Sequence, residues 1–432
     1  MSLERDVRQM LADKISGTHV GLWLLVAEHL RLGTWDLLRS WTGMHDPGAI
    51  EPRLGLQMVH ESAFCVNGVR QKRTLRQKGF ETLNGLPFVA TDYAIHRLLD
   101  SHSVEEAQSL QLALGQIRQA KGDYPGRCVL LDPHRICTWS KRQMQPKKSR
   151  PRASATKVLQ TFFAIDGHSG QPLGFGMGSS ALTITQATLP LVERIANILP
   201  DGALLIADTE HFSGELLERL STTPRFTFLI PAPRRKRIMK QITEMSYTPL
   251  WAGYAVAEGT YRLVKGTQPI PMIAQRTGER PDQYDYKPFV TNSKIAPDEL
   301  MALVFPQRWN IEEFFNTEAT LGWNRASTLN LNIRFGRLSM ALIAQAAVHE
   351  LRKKLPSELK KWTAESLARK LFGGIDGDIR VKKDTIVVTF YNAPEADNLK
   401  LHYANLPKKL EAEGIDPRVP WLYDLKVDFR FK

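Results

Sequence analysis

An α/β core on a sheet of mixed strand direction is the fold class the sequence predicts, and three observations predict it. Two short apolar runs, RCVLLD and DGALLIAD, are compact enough to be buried strands. KVLQTFFAID and PLGFGMG, residues 157–166 and 172–178, read as a hairpin turned by DGHSGQ. TITQATLPLVERIANIL and GELLERL carry helical spacing, and RFTFLIPAP adds a strand after them. Strand, strand pair, helix, strand, helix, strand gives an α/β core that mixes antiparallel and parallel pairing.

Ahead of this core the pattern is helical. Residues 15–40 carry Leu22, Leu25, Leu30 and Leu38 at helical spacing, with a break at Gly33 and Thr34. Residues 91–120 predict two more helical pieces, capped by Thr91 and by Ser103 with Glu106 three residues on. GDYPG at 122–126 ends that region, so the expected boundary puts a helical N-terminal domain at 1–122. The core is expected at 123–230 and 288–355, interrupted by a β-rich insertion at 231–287 that contains WAGYAVA, TYRLVK and PMIAQRT. Residues 334–355 form a strongly helical Ala- and Leu-rich run, expected to pack on the core. Residues 356–432 predict a small α+β appendage.

Composition narrows the function. At 432 residues, 43% hydrophobic and 24% charged, the chain is an ordinary globular protein with two or three units. A formal net charge of +13 favours a polyanionic partner, above all nucleic acid. Cys65, Cys128 and Cys137 show no CxxC spacing, which argues against a zinc or disulfide framework and for a reducing compartment. GLWLLVAEHL is too short and too charged to span a bilayer, so a cytoplasmic location is expected, with no membrane partner.

Three carboxylates stand out by position. Asp132 closes one apolar run and Asp208 another, where an α/β sheet presents its ligand-binding edge. Glu312 lies in ALVFPQRWNIEEFFNTEATL, four residues after Arg308 and among aromatic residues that cover much of the segment. Each has a plainer reading: a turn cap for either Asp, an i,i+4 ion pair for Glu312. Asp166 rivals Asp132, because FFAID also ends a strand, although its GHSGQ continuation explains it as a turn residue. Glu210 and His211 follow Asp208 closely enough to support it, or else lie on the surface.

On these residues the chain resembles the DDE transposases of bacterial insertion sequences, of the insertion-sequence-four type. Their helix signature, Y-x2-R-x3-E-x6-K, falls on FPQRWNIEEFFNTEA, with Phe305 at the Tyr, Arg308 at the Arg and Glu312 at the Glu. Ala319 stands at the Lys, so the signature is degenerate at both ends. Asp132 in VLLDP and Asp208 in LLIADTEHF match the two Asp residues, 76 apart, and Asp208 precedes Glu312 by 104, room for the family's β insertion. The resemblance covers roughly residues 15–355 and implies a ribonuclease-H-like core. It further implies that Asp132, Asp208 and Glu312 are catalytic and hold two Mg²⁺ or Mn²⁺ ions, hard cations that suit all-oxygen ligands.

Basic segments would then grip DNA. From Lys141 to Lys157 there are seven positive charges and no negative one, and Lys141, Arg142, Lys147, Lys148, Arg150 and Arg152 are the expected backbone contacts. Arg308 and the Arg234–Arg235 pair join them, and VRQKRTLRQKGF at 69–80 is a further basic run. Trp139 and Trp251 are candidates for base stacking, with core or hairpin packing as the plainer reading. The expected function is transposition: cleavage at terminal inverted repeats and joining of the 3′-OH to target DNA, by a homodimer assembled on double-stranded DNA. The competing expectations are a metal-dependent endonuclease that does not join ends, and an inactive transposase-derived DNA-binding protein.

Overall fold

A computed structural model describes residues 3–17, 19–66, 78–148, 154–223, 225–262, 269–323 and 328–432. The chain forms two compact units, one of residues 118–314 and one of residues 1–117 with 315–432.

The 118–314 unit is built on nine strands: β1 Cys128–Cys137, β2 Val158–Asp166, β3 Pro172–Ser179, β4 Ala203–Ala207, β5 Phe226–Pro231, β6 Thr248–Trp251, β7 Tyr254–Tyr261, β8 Ile270–Thr277 and β9 Asp285–Thr291. They lie side by side in the order β3-β2-β1-β4-β5-β9-β8-β7-β6. β1, β4 and β5 are parallel, and every other neighbouring pair is antiparallel. The mixed α/β class expected from the sequence is therefore the observed one. β2 and β4 are buried along their whole length, as their unbroken apolar runs require. The helices Ile184–Ile195 and Gly214–Thr222 make the crossovers, and Thr183 opens the first with a reciprocal cap to Gln186.

Two details differ from the sequence reading. β1 does not stop at Asp132 but runs on to Cys137, because β2 offers it a partner at every residue from Val129 onward. The strands of the expected insertion extend the same sheet through the β5–β9 pairing, and the RRKR run opens a helix, Lys236–Thr243.

In the other unit, helix Leu331–Lys353 is buried along most of its length and packs on Glu51–Ala63 and Leu25–Leu32. It thus belongs with the N-terminal helices, whereas the sequence reading grouped it with the core. Gly33 separates the helices Leu25–Leu32 and Thr34–Thr42 in a left-handed conformation, as the break there predicted. The start of the expected helical stretch is not helical. Ile15–Gly17 is a strand paired with Gly377–Ile379, which makes the C-terminal α+β segment part of this unit's five-stranded sheet. No described helix is long and apolar enough to cross a membrane.

Candidate active site

The site is set by strand register. Leu131 of β1 pairs with Ala207 of β4 in parallel, and β4 ends there. The next residue on each chain is an aspartate, so Asp132 and Asp208 sit side by side at a strand spacing of about 5 Å. Both are partly exposed at this edge, directly beyond buried apolar residues.

The third carboxylate arrives on a helix. Pro306 interrupts regular hydrogen bonding, and the chain passes from a wide turn at Leu300–Val304 through a tight one at Phe305–Arg308 into the helix Trp309–Glu318. Asp132 pairs with Phe163 across β1 and β2, which puts both side chains on one face of the sheet. Phe314 packs on Phe163, ring centres 5.9 Å apart, and Asn310 Nδ2 donates to the Gly167 carbonyl at 2.8 Å. Those two anchors bracket Glu312 in sequence and dock the helix over the face that carries Asp132. Arg308 Nη2 donates to Glu312 Oε1 at 2.8 Å, the ion pair expected from their spacing.

Like charge acts among the acids. Burial pushes the Asp132 carboxyl up to about 7, and Asp208 adds to the rise, followed by Glu210 and Glu312, while Arg308 opposes it. Burial also pushes Asp208 up. For Asp208, however, the His211 hydrogen bond, its charge, the Glu210 amide and Arg308 together hold the carboxyl below its usual value. Asp208 Oδ1 accepts from His211 Nδ1 at 2.8 Å and from the Glu210 amide at 3.0 Å. Glu210 itself takes a two-pronged ion pair from Arg135, whose Nη1 lies 2.9 Å from Oε1.

Of the remaining expected residues, Asp166 is fully buried and accepts from Ser169 N and Oγ, both at 2.7 Å, and from the Gly126 amide at 3.2 Å. It is a turn residue, as its sequence context suggested. Lys141, Arg142 and Arg235 are exposed. Lys147 donates Nζ to the Leu182 carbonyl at 3.1 Å, and Arg234 pairs with Asp285 at 2.8 Å. Lys148 pairs with Ala155 in a short two-stranded ladder. Arg150, Arg152 and most of the 69–80 run lie outside the described residues. Trp251 stacks on Tyr254 at 4.2 Å, the hairpin packing expected for it. Trp139 is 96% exposed, so core packing does not apply to it. His211 is only 1% exposed, which corrects the surface reading. Arg135 had no sequence signal at all, because its importance comes from strand pairing beyond Asp132.

Side-by-side carboxylates on adjacent parallel segments, with the Arg308 charge acting on both, make this edge a candidate cation-binding site. The family model described as "Transposase DDE domain" matches residues 96–346, more than half of the chain, and the protein belongs to that family. Among solved structures, the cryo-EM structure of a piggyBac transposase synaptic complex with hairpin DNA is similar over 83% of this chain and 82% of that one. The identity there is 11% and the TM-score 0.39. No curated protein matches the sequence.

Proposed function

We propose that this transposase cuts the ends of a mobile DNA segment and joins the freed 3′-OH to target DNA, with Asp132, Asp208 and Glu312 as its divalent-metal ligands. The observation that carries the reading is the β1–β4 register, which lines up Asp132 with Asp208 at the edge under the Glu312 helix. The donor set fits Mg²⁺ or Mn²⁺: every ligand atom is a carboxylate oxygen, and a carboxyl held up near 7 by burial and like charge is stabilised by a nearby cation. When bound, two such ions supply activation of the attacking oxygen and stabilisation of the departing one.

The chain's own residues prepare that chemistry. His211 and the Glu210 amide fix one oxygen of Asp208, leaving the other to face the edge. Arg308, held by Glu312 and lying 4.9 Å over the Trp309 ring, keeps further N–H donors for a phosphate. Lys141 and Arg142 follow on from β1 and would hold the DNA backbone beside it. The order β3-β2-β1-β4-β5, with β1, β4 and β5 parallel, supports a ribonuclease-H-like core of the insertion-sequence-four type. In this reading the N-terminal helical region binds DNA and two copies assemble on paired ends.

The test uses 3′-OH-ended DNA, supercoiled target and Mg²⁺. A joined product is expected, and Asp132→Asn, Asp208→Asn and Glu312→Gln each lower its rate by at least about 10³-fold while DNA binding persists. Cleavage without joining would point to a plain endonuclease, and full activity in any of the three variants would overturn the assignment.

A further inference from the structure

Strand β9 reads DYKPFVT, and its alternation sets Asp285, Lys287 and Phe289 on one face. Lys287 lies over two rings, Nζ 5.6 Å from the centre of Phe289 and 5.3 Å from that of Phe305. Those rings meet edge to face at 4.8 Å. Lys287 is half-buried, yet among the described residues it forms no hydrogen bond or ion pair. Asp285, the carboxylate two positions earlier, is held by Arg234 at 2.8 Å.

Its other charged neighbours repel it. Burial first, then Arg308 and Arg234, push the Lys287 ammonium down, and Asp285 alone acts the other way. An ammonium is strongly hydrated, so half-burying one beside two guanidinium groups is unfavourable unless an anion joins them. The aromatic walls offset part of that penalty and fix the direction of the stem. Arg308, paired with Glu312, is also among the charges that act on Asp132, so one guanidinium acts on both the lysine and the carboxylates. Both arginines are committed to a carboxylate on one side and keep donors on the other.

We propose that Lys287, with Arg308, seats one backbone phosphate of DNA beside the carboxylate cluster. The inference rests on the transposase reading, whose substrate contact it names. It also offers a source for the positive charge missing at Ala319, from a sheet strand in place of the helix. Lys287 is a positioning residue here: it fixes the strand and does not touch the reacting oxygen.

The test is duplex DNA binding in Ca²⁺ across a range of KCl concentrations, with wild type, Lys287→Met and Lys287→Arg. Met keeps the stem over both rings and removes the charge. The slope of log K against log salt is expected to fall by about 0.9 in Lys287→Met, with affinity down roughly 5- to 20-fold at moderate salt. Lys287→Arg should keep most of both. A purely packing lysine predicts a slope and affinity equal to wild type in Lys287→Met, and that result overturns the proposal. Loss of the catalytic reading would show separately, as activity that survives Asp132→Asn, and leaves the salt slopes to be judged alone.

Discussion

His211 Nδ1 stands 2.8 Å from Asp208 Oδ1, and the imidazole is buried while the carboxylate reaches the edge of the sheet. Because Asp208 stays ionised, the ring donates, and the bond fixes which oxygen is left free. Removing the ring should leave the strand intact but let the carboxylate turn. His211→Ala is expected to weaken Mg²⁺ activation about 10- to 100-fold, the usual effect of losing a ligand's outer partner. A Mg²⁺ titration of DNA cleavage measures it, and an unchanged titration would reduce His211 to filling space.

The Arg135–Glu210 pair bounds the same edge. Arg135 Nε also donates to Gln160 Oε1 at 3.2 Å, so the guanidinium ties β1, β2 and the turn after β4 together. Arg135→Met should free Glu210 next to Asp132 and add an unpaired negative charge. The expected outcome is a lower Mg²⁺ requirement, because the added negative charge draws the cation in, with DNA binding weakened less than twofold, about 0.4 kcal/mol. Metal titration and DNA binding, run in parallel, separate the two.

Particular residues show how far the sequence was legible. The strand-end position of Asp208 is legible because ALLIA is an unbroken apolar run that ends at once in Asp, and such a run has few other readings. The same pattern puts Asp132 at a strand end, but the strand carries on past it, since the residues from Pro133 to Cys137 become a strand only through their pairing with β2. His211 was misjudged because TEH has no periodicity, and what buries the ring is the fold around it. Lys287 closes the stretch expected as a β-rich insertion, and nothing in that stretch hints that Phe305 would meet it from the segment leading into the Glu312 helix. Ile15–Gly17 was read as helix because its strand partner lies more than 350 residues away.

A pH dependence of stability follows from the 1–117 and 315–432 unit. His60 is fully buried, its Nδ1 2.7 Å from Asn84 Oδ1, and burial pushes its imidazolium down to about 4. Unfolded, the ring titrates near 6.5, so below that pH the unfolded chain takes up a proton that the folded one refuses. Stability should therefore fall as pH drops from about 6.5 to about 4, by roughly 3 kcal/mol from this ring. His29, also buried and pushed down beside His60, adds in the same direction. Urea unfolding at pH 7 and pH 4.5 tests it: His60→Gln should narrow the difference between the two by about 2–3 kcal/mol.

Gly85 carries a sharper steric demand. Its φ is +65°, and a Cβ there would lie 2.0 Å from the Trp421 carbonyl oxygen. That carbonyl is backbone and cannot swing aside. Gly85→Ala is expected to destabilise the protein by at least about 2 kcal/mol, the sum of a left-handed strain and a backbone clash. A small shift of the urea midpoint would mean that the turn rearranges freely.

Asp166 supplies a control for the metal-ligand role proposed for Asp132. It resembles Asp132 in sequence, each closing an apolar run, and the two strands that carry them are neighbours. Their surroundings differ. Asp166 is enclosed and takes three hydrogen bonds from Ser169 and Gly126, and a Cβ on Gly126 would come within 2.5 Å of its Oδ1. Asp132 is half-buried and feels the like charges of Asp208, Glu210 and Glu312. Asp166→Asn replaces an acceptor of N–H bonds by a group half of which donates, so it should destabilise the hairpin by about 1–3 kcal/mol. At a temperature where the variant is folded, its Mg²⁺ titration and DNA joining rate should match wild type. Asp132→Asn should do the reverse, leaving stability equal or raised, since a buried and repelled carboxyl has been neutralised, and abolishing the joining reaction. If Asp166→Asn instead loses metal response while its melting temperature holds, the two roles are exchanged and the register of β1 with β4 is not what selects the catalytic acid.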